Sequence, residues 1–140
     1  MSGPSLRKTD AHSSIHEASL NEALELRDIF RKCLEDGETD KALQVLEVTI
    51  EHWETRTLKH AEEEEEGLYK DIINEHPDLL HTVIQLTRDH DLMRRIVDNI
   101  KDRLQTQEPN MEIVTLLDSL VIIDLIHNED EMNKLLANGK

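Results

Sequence analysis

Aromatic residues are nearly missing from this sequence: Phe30, Trp53 and Tyr69 are the only ones in 140 residues. Runs of Val, Ile and Thr alternating with polar residues are few as well, which removes the usual signature of half-buried strands. One cysteine, Cys33, cannot close an internal disulfide, and a chain without disulfides suits a reducing cytoplasm. Basic residues are outnumbered, 16 against 31 acidic, for a formal net charge of -15. That balance argues against nucleic acid or an anionic membrane as the main partner, because both demand clustered Lys and Arg. No apolar run approaches the roughly 20 residues that a transmembrane helix needs, and the N-terminus lacks the apolar core of a signal peptide. What remains is dominated by Leu, Glu, Lys and Ala, residues that favour helices.

Breaks and periodicity divide the chain into four helices. Residues 1–9, with Gly3 and Pro4, read as a flexible leader, and 10–138 as a single helical domain. The first helix begins near Thr9 or Ser13 and runs to Glu35, with Leu20, Ala23, Leu24, Phe30 and Leu34 inward, before Gly37 ends it. Thr39 or Asp40 caps the second, which carries Ala42, Leu46, Ile50 and Trp53 inward and lasts until Gly67. Residues 69–77 read as a connection closed by Pro77, and a third helix follows to Gln105. Glu108-Pro109-Asn110 breaks it, and the fourth spans 111–137. Long helices with short connections predict an all-α fold, an up-down-up-down antiparallel four-helix bundle.

Two segments share one spacing, His60-x-x-x-Glu64 and His127-x-x-x-Glu131. Four residues of α-helix advance about 400°, so each pair lies on one face, one turn apart, as metal ligands require. Projection at about 100° per residue puts His16, His60, His90 and His127 on the apolar stripe of their helices. His16 and His60 flank the Gly37 break at similar distances, and His90 and His127 flank the Pro109 break in the same way. In an antiparallel bundle all four imidazoles then reach one height. Ionised Glu64 and Glu131 beside them cost several kcal/mol each in a dry core unless compensated. Two divalent metal ions compensate them and use the neutral imidazoles as donors, with Glu63 as an additional candidate ligand.

Taken singly, each histidine is more often a core or boundary residue than a ligand, and only the joint arrangement argues for metal. The remaining histidines carry the ordinary readings: His12 lies at a fraying helix end, His52 at a boundary, and His76 and His81 in water. Glu62, Glu65 and Glu66 read as a solvated face, and Cys33 as a small apolar filler.

Ser14-Ile15-His16, His60-x-x-x-Glu64, Asp89-His90-Asp91-Leu92-Met93-Arg94 and His127-x-x-x-Glu131 together resemble the hemerythrin-like (HHE cation-binding) family, over roughly residues 10–137. The resemblance implies two non-heme iron ions joined by an oxo or hydroxo bridge inside the bundle. It also implies that Glu64 and Glu131 bridge them while the histidines complete each iron's ligands. One departure is visible. Oxygen-carrying members have two histidines a turn apart on the third helix, whereas here Leu86 and Arg94 flank His90. Four histidines divide evenly, two per iron, leaving a position for water, hydroxide or Glu63. The departure argues against reversible oxygen carriage and leaves oxygen or nitric oxide sensing, peroxide chemistry and iron-linked regulation open.

The expected function is binding or sensing of dioxygen or a related diatomic such as NO, in the cytoplasm. A peroxide-consuming enzyme on the same centre is the first alternative, with Tyr69, Glu63 and Arg94 as candidate proton donors. An iron-responsive regulatory protein and a metal-free helical interaction module are the others.

Overall fold

The computed structural model describes residues 9–139, with side chains from Ala11 onward. The leader expected over 1–9 lies outside the described residues except for Thr9, which opens the first helix. Helix α1 is Thr9–Glu35. Gly37 ends it with φ 73°, and the next amides fold back, Gly37 N to Leu34 O at 3.1 Å and Glu38 N to Cys33 O at 2.9 Å. This left-handed cap satisfies the last carbonyls of α1 and reverses the chain. Helix α2 begins at Thr39 without a side-chain cap, so neither Thr39 nor Asp40 performs the capping predicted for it.

The largest difference from expectation concerns where α2 stops. It does not end at Gly67 but runs unbroken over residues 39–75, through Tyr69–Glu75. Glycine costs a helix about 1 kcal/mol relative to alanine. Burial of Leu68, Tyr69 and Ile72 against Leu79, Val83, Leu86, Leu135 and Leu136 outweighs that cost. A single 3₁₀ turn, Pro77–Leu79, then leads into α3, Leu80–Arg103. Helix α4 starts at Met111, where the Asn110 side chain accepts a hydrogen bond from Ile113 N, and continues to residue 136. Helix α1 packs against α2 and α4, and α3 against α4, completing the antiparallel four-helix bundle.

Three wide π turns interrupt the α-helical pitch: Trp53–Thr57, Glu64–Leu68 and Glu131–Leu136. Each rotates the residues after it relative to an ideal helix. Two of the three open on the predicted ligands Glu64 and Glu131.

The core falls into two apolar bodies. One gathers Phe30, Leu46, Trp53, Met93, Ile100, Ile113 and Leu120; the other gathers Leu68, Tyr69, Ile72, Leu86, Leu135 and Leu136. Along α2, α3 and α4 the same order repeats: an apolar residue (Trp53, Met93, Leu120), an imidazole (His60, His90, His127), then an apolar residue of the second body (Leu68, Leu86, Leu135). A polar layer therefore lies across the middle of the bundle, between two dry ends.

Candidate metal centre

The polar layer brings together all six of the principal predicted ligands, His16, His60, Glu64, His90, His127 and Glu131, and adds a seventh residue, His12. Two groups of donor atoms result, each with its atoms within 4.8 Å of one another: His12, His16, His60 and Glu64, and Glu64, His90, His127 and Glu131. Glu64 belongs to both. His12, Glu64, His90, His127 and Glu131 are buried, while His16 and His60 keep slight exposure. Glu63 lines the adjoining cavity but joins neither group.

The two carboxylates each turn one oxygen to either side. Glu64 Oε2 lies 3.2 Å from His12 Nε2 and 3.6 Å from His60 Nε2, and its Oε1 lies 3.4 Å from His90 Nε2. Glu131 Oε1 meets His12 Nε2 and stands 3.7 Å from His16 Nε2, while its Oε2 stands 3.3 Å from His127 Nε2. Tyr69 donates its hydroxyl hydrogen to that same Oε2. Helical spacing sets these relations within α2 and α4, and the π turns at Glu64 and Glu131 aim the carboxylates across the layer.

His12 is the residue that sequence reasoning missed. It is fully buried, one helical turn before His16, and its ring lies 4.3 Å from that of His16 and 5.4 Å from that of His60. The imidazoles therefore do not divide evenly between the two groups of donors, as the expectation of two on each side required. Helix α1 supplies a pair a turn apart, so three histidines stand on one side and His90 and His127 on the other. The signal was present in the His12-x-x-x-His16 spacing.

The second side carries supports that the sequence reading left in water or unassigned. Glu65 hydrogen-bonds His90 Nδ1 at 2.6 Å and accepts from Arg94 at 2.9 Å. Asp89 bonds His127 Nδ1 at 2.9 Å. Each contact fixes the ring so that Nε2 points into the layer, where the two Nε2 atoms lie 3.1 Å apart. The reading of Glu65 as a solvated side chain is corrected, because the π turn swings it toward α3. His52 is buried rather than at a boundary, bonded to Ser19 O at 2.9 Å. His81 is exposed as expected.

Protonation follows from this packing. Burial drives Glu64 toward its neutral form, but the surrounding His12, His60 and His90 outweigh it and hold the carboxyl well below the usual range. Burial opposes a charge on His12, yet Glu131 and Glu64 raise it to about 10; His127 reaches about 10 through Asp89 and Glu131. His16 goes the other way, lowered to about 4 chiefly by burial. Tyr69 is pushed well up by burial and by the Glu131 and Glu64 charges, so its hydroxyl stays protonated.

The donor set fits metal ions. Buried polar atoms normally have hydrogen-bond partners, yet His60 Nε2, His16 Nδ1 and Glu64 Oε2 have none. Two of these three atoms belong to the predicted His60-x-x-x-Glu64 pair. Imidazole and carboxylate donors in a dry interior suit a divalent transition metal. The comparison with known families agrees: residues 13–137 match the hemerythrin HHE cation-binding domain, and the chain belongs to that family. The matched span opens one residue after His12. No curated protein and no solved structure matches the chain. None of the described helices is long and apolar enough to cross a membrane.

Proposed function

We propose that this hemerythrin-family bundle holds two non-heme iron ions and uses them to bind or sense dioxygen or a related diatomic such as NO. The observation that carries the reading is the double-facing arrangement of Glu64 and Glu131. Each offers one oxygen to the side of His12, His16 and His60 and the other to the side of His90 and His127. A single ion leaves half of these donors unused, whereas two ions engage them all. Iron supplies an exchangeable position and a redox change that a small ligand can trigger. The chain's own contribution is to fix the imidazoles, exclude bulk water with Trp53, Leu86, Met93 and Leu120, and keep Glu131 oriented through Tyr69. The lone Cys33, which cannot close an internal disulfide, supports a cytoplasmic setting.

The test is an anaerobic iron(II) titration of metal-free protein followed by exposure to dioxygen or NO. The reading expects a visible absorption change that saturates with ligand and is lost in Glu64→Ala. Iron uptake with no spectral response to either gas contradicts it.

A peroxide-consuming enzyme is the second reading, favoured by a cavity that reaches the donor set from the surface. Steady-state peroxide turnover by iron-loaded protein, abolished in Glu64→Ala, supports it; equal rates in both proteins dispose of it. A metal-free interaction module accounts poorly for buried donor atoms without partners.

A further inference from the structure

Large apolar side chains left in water are not spread evenly over the bundle. Among the described residues α1, α2 and α3 expose two each, Ile15 and Ile29, Leu43 and Val48, Leu80 and Ile84. Helix α4 exposes four, Met111, Ile122, Leu125 and Ile126, each about half accessible. At about 100° per residue these four fall within one sector about 100° wide, on the side of α4 away from the core. From Ser119 to Ile126 the only charged residue is Asp124, which is buried. The middle of this outer stripe is therefore uncharged, in a chain whose net charge is -15. The inner side of α4 is apolar too, with Ile113, Leu117, Leu120 and Val121 in the core. A helix apolar on both sides is normally covered on both, and such an aliphatic patch marks an interaction surface.

The ends of the stripe say what covers it. At one end Arg27 and Arg31 reach across from α1 to Asp118, at 3.0 and 3.6 Å. Arg27 takes the hydrogen bond to that carboxylate, while Arg31 stands too far away for one. At the other end, roughly 16 Å along α4 from Asp118, Glu129 is exposed and in no ion pair with a described residue. A two-fold axis level with the midpoint of Asp118 and Glu129 exchanges these ends. It sets Arg31 against the Glu129 of a second copy and Ile122 against that copy's Leu125. Such an isologous contact is complementary to itself in both charge and polarity. An anionic membrane or a nucleic acid needs cations along the surface it meets, and α4 has no Lys or Arg from Met111 to Asn133.

We propose that the outer face of α4 is a homodimer interface, in which two copies pack their α4 helices antiparallel through Ile122, Leu125 and Ile126 and close each end with an Arg31–Glu129 pair. The inference stands apart from the metal reading, since none of these side chains belongs to the donor set.

The full chain as purified is taken through sedimentation velocity from about 1 µM to several hundred µM, beside variants whose helical content is checked by circular dichroism. Wild type is expected to sediment as a dimer over most of this range. Ile122→Glu, a change at an exposed position, should keep its helices and weaken the dimer about a hundredfold. Ile84→Glu, equally exposed but on α3, should leave the dimer intact. Arg31→Glu and Glu129→Arg should each weaken it about tenfold, and the two together should restore most of the loss. Should Ile122→Glu lose its helical signal, Ile122→Ser carries the same test without adding a charge. Wild type that stays monomeric throughout overturns the proposal, and sedimentation of that monomer with phosphatidylcholine vesicles assigns the stripe to a lipid surface instead. A dimer that Ile122→Ser leaves at wild-type strength overturns it as well, as does equal weakening by Ile84→Glu. A double charge swap no stronger than either single variant overturns the antiparallel pairing.

Discussion

The two sides of the donor layer are built differently. On the α3–α4 side, His90 and His127 are each backed at Nδ1 by a carboxylate, Glu65 and Asp89, and Glu65 is in turn held by Arg94. On the α1–α2 side, His12, His16 and His60 lean on one another edge to face, and His16 Nδ1 and His60 Nε2 have no hydrogen-bond partner. The first arrangement fixes ring orientation before any ion arrives; the second relies on the number of imidazoles. Backing carboxylates both orient a ligating histidine and raise its basicity. On the two-ion reading the carboxylate-backed side is expected to bind metal the more tightly and to fill first, and residues of both sides line the cavity.

The sharpest way to break this contrast is to remove one imidazole from each side. His127→Ala should abolish the backed position and reduce metal content by about one ion per chain, leaving Asp89 without its partner. His16→Ala, with His12 and His60 still present, should retain the ion and weaken it far less. Equal losses in the two variants refute the asymmetry.

Acid–base behaviour tests the metal-free layer next. His12 and His127 have folded-state pKa values raised from 6.5 to about 10. The folded protein thus binds more protons than the unfolded chain between these values. Their contribution to stability is complete below the lower value and is lost as pH climbs through the upper one. Urea unfolding of metal-free protein should show a fall on the order of a few kcal/mol from neutral to strongly alkaline pH. His16, lowered to about 4, has the opposite sign: its contribution is present above pH 6.5 and is lost as pH falls toward 4. Metal must displace the protons on His12 and His127, so loading should strengthen with pH while metal-free stability declines.

Smaller effects refine the picture. Asp89→Asn, which keeps the size but not the charge behind His127, should weaken metal affinity about ten- to a hundredfold by calorimetry. Tyr69→Phe leaves Glu131 Oε2 without its hydroxyl donor and should cost about 1 kcal/mol in thermal unfolding, with metal content nearly unchanged.

The helical architecture and six donors were legible in the sequence because apolar periodicity and His-x-x-x-Glu spacing are both consequences of one pitch. Position near a helix end predicts fraying for His12; burial of its ring against Glu131 and Glu64 overrides that. Glu65 and the course of α2 beyond Gly67 were misread for a different reason. Projection at a constant pitch fails wherever the helix widens, and the π turn at Glu64–Leu68 does so at the site itself. Tyr69 then lands in the core rather than in a connection, with its hydroxyl on the Glu131 carboxylate.

The central claim is that Glu64 and Glu131 each face two ions. Metal analysis of freshly purified protein from iron-replete cells tests it most directly. The account predicts close to two irons per chain in wild type; one iron or fewer, or zinc in full occupancy with no iron uptake, contradicts it.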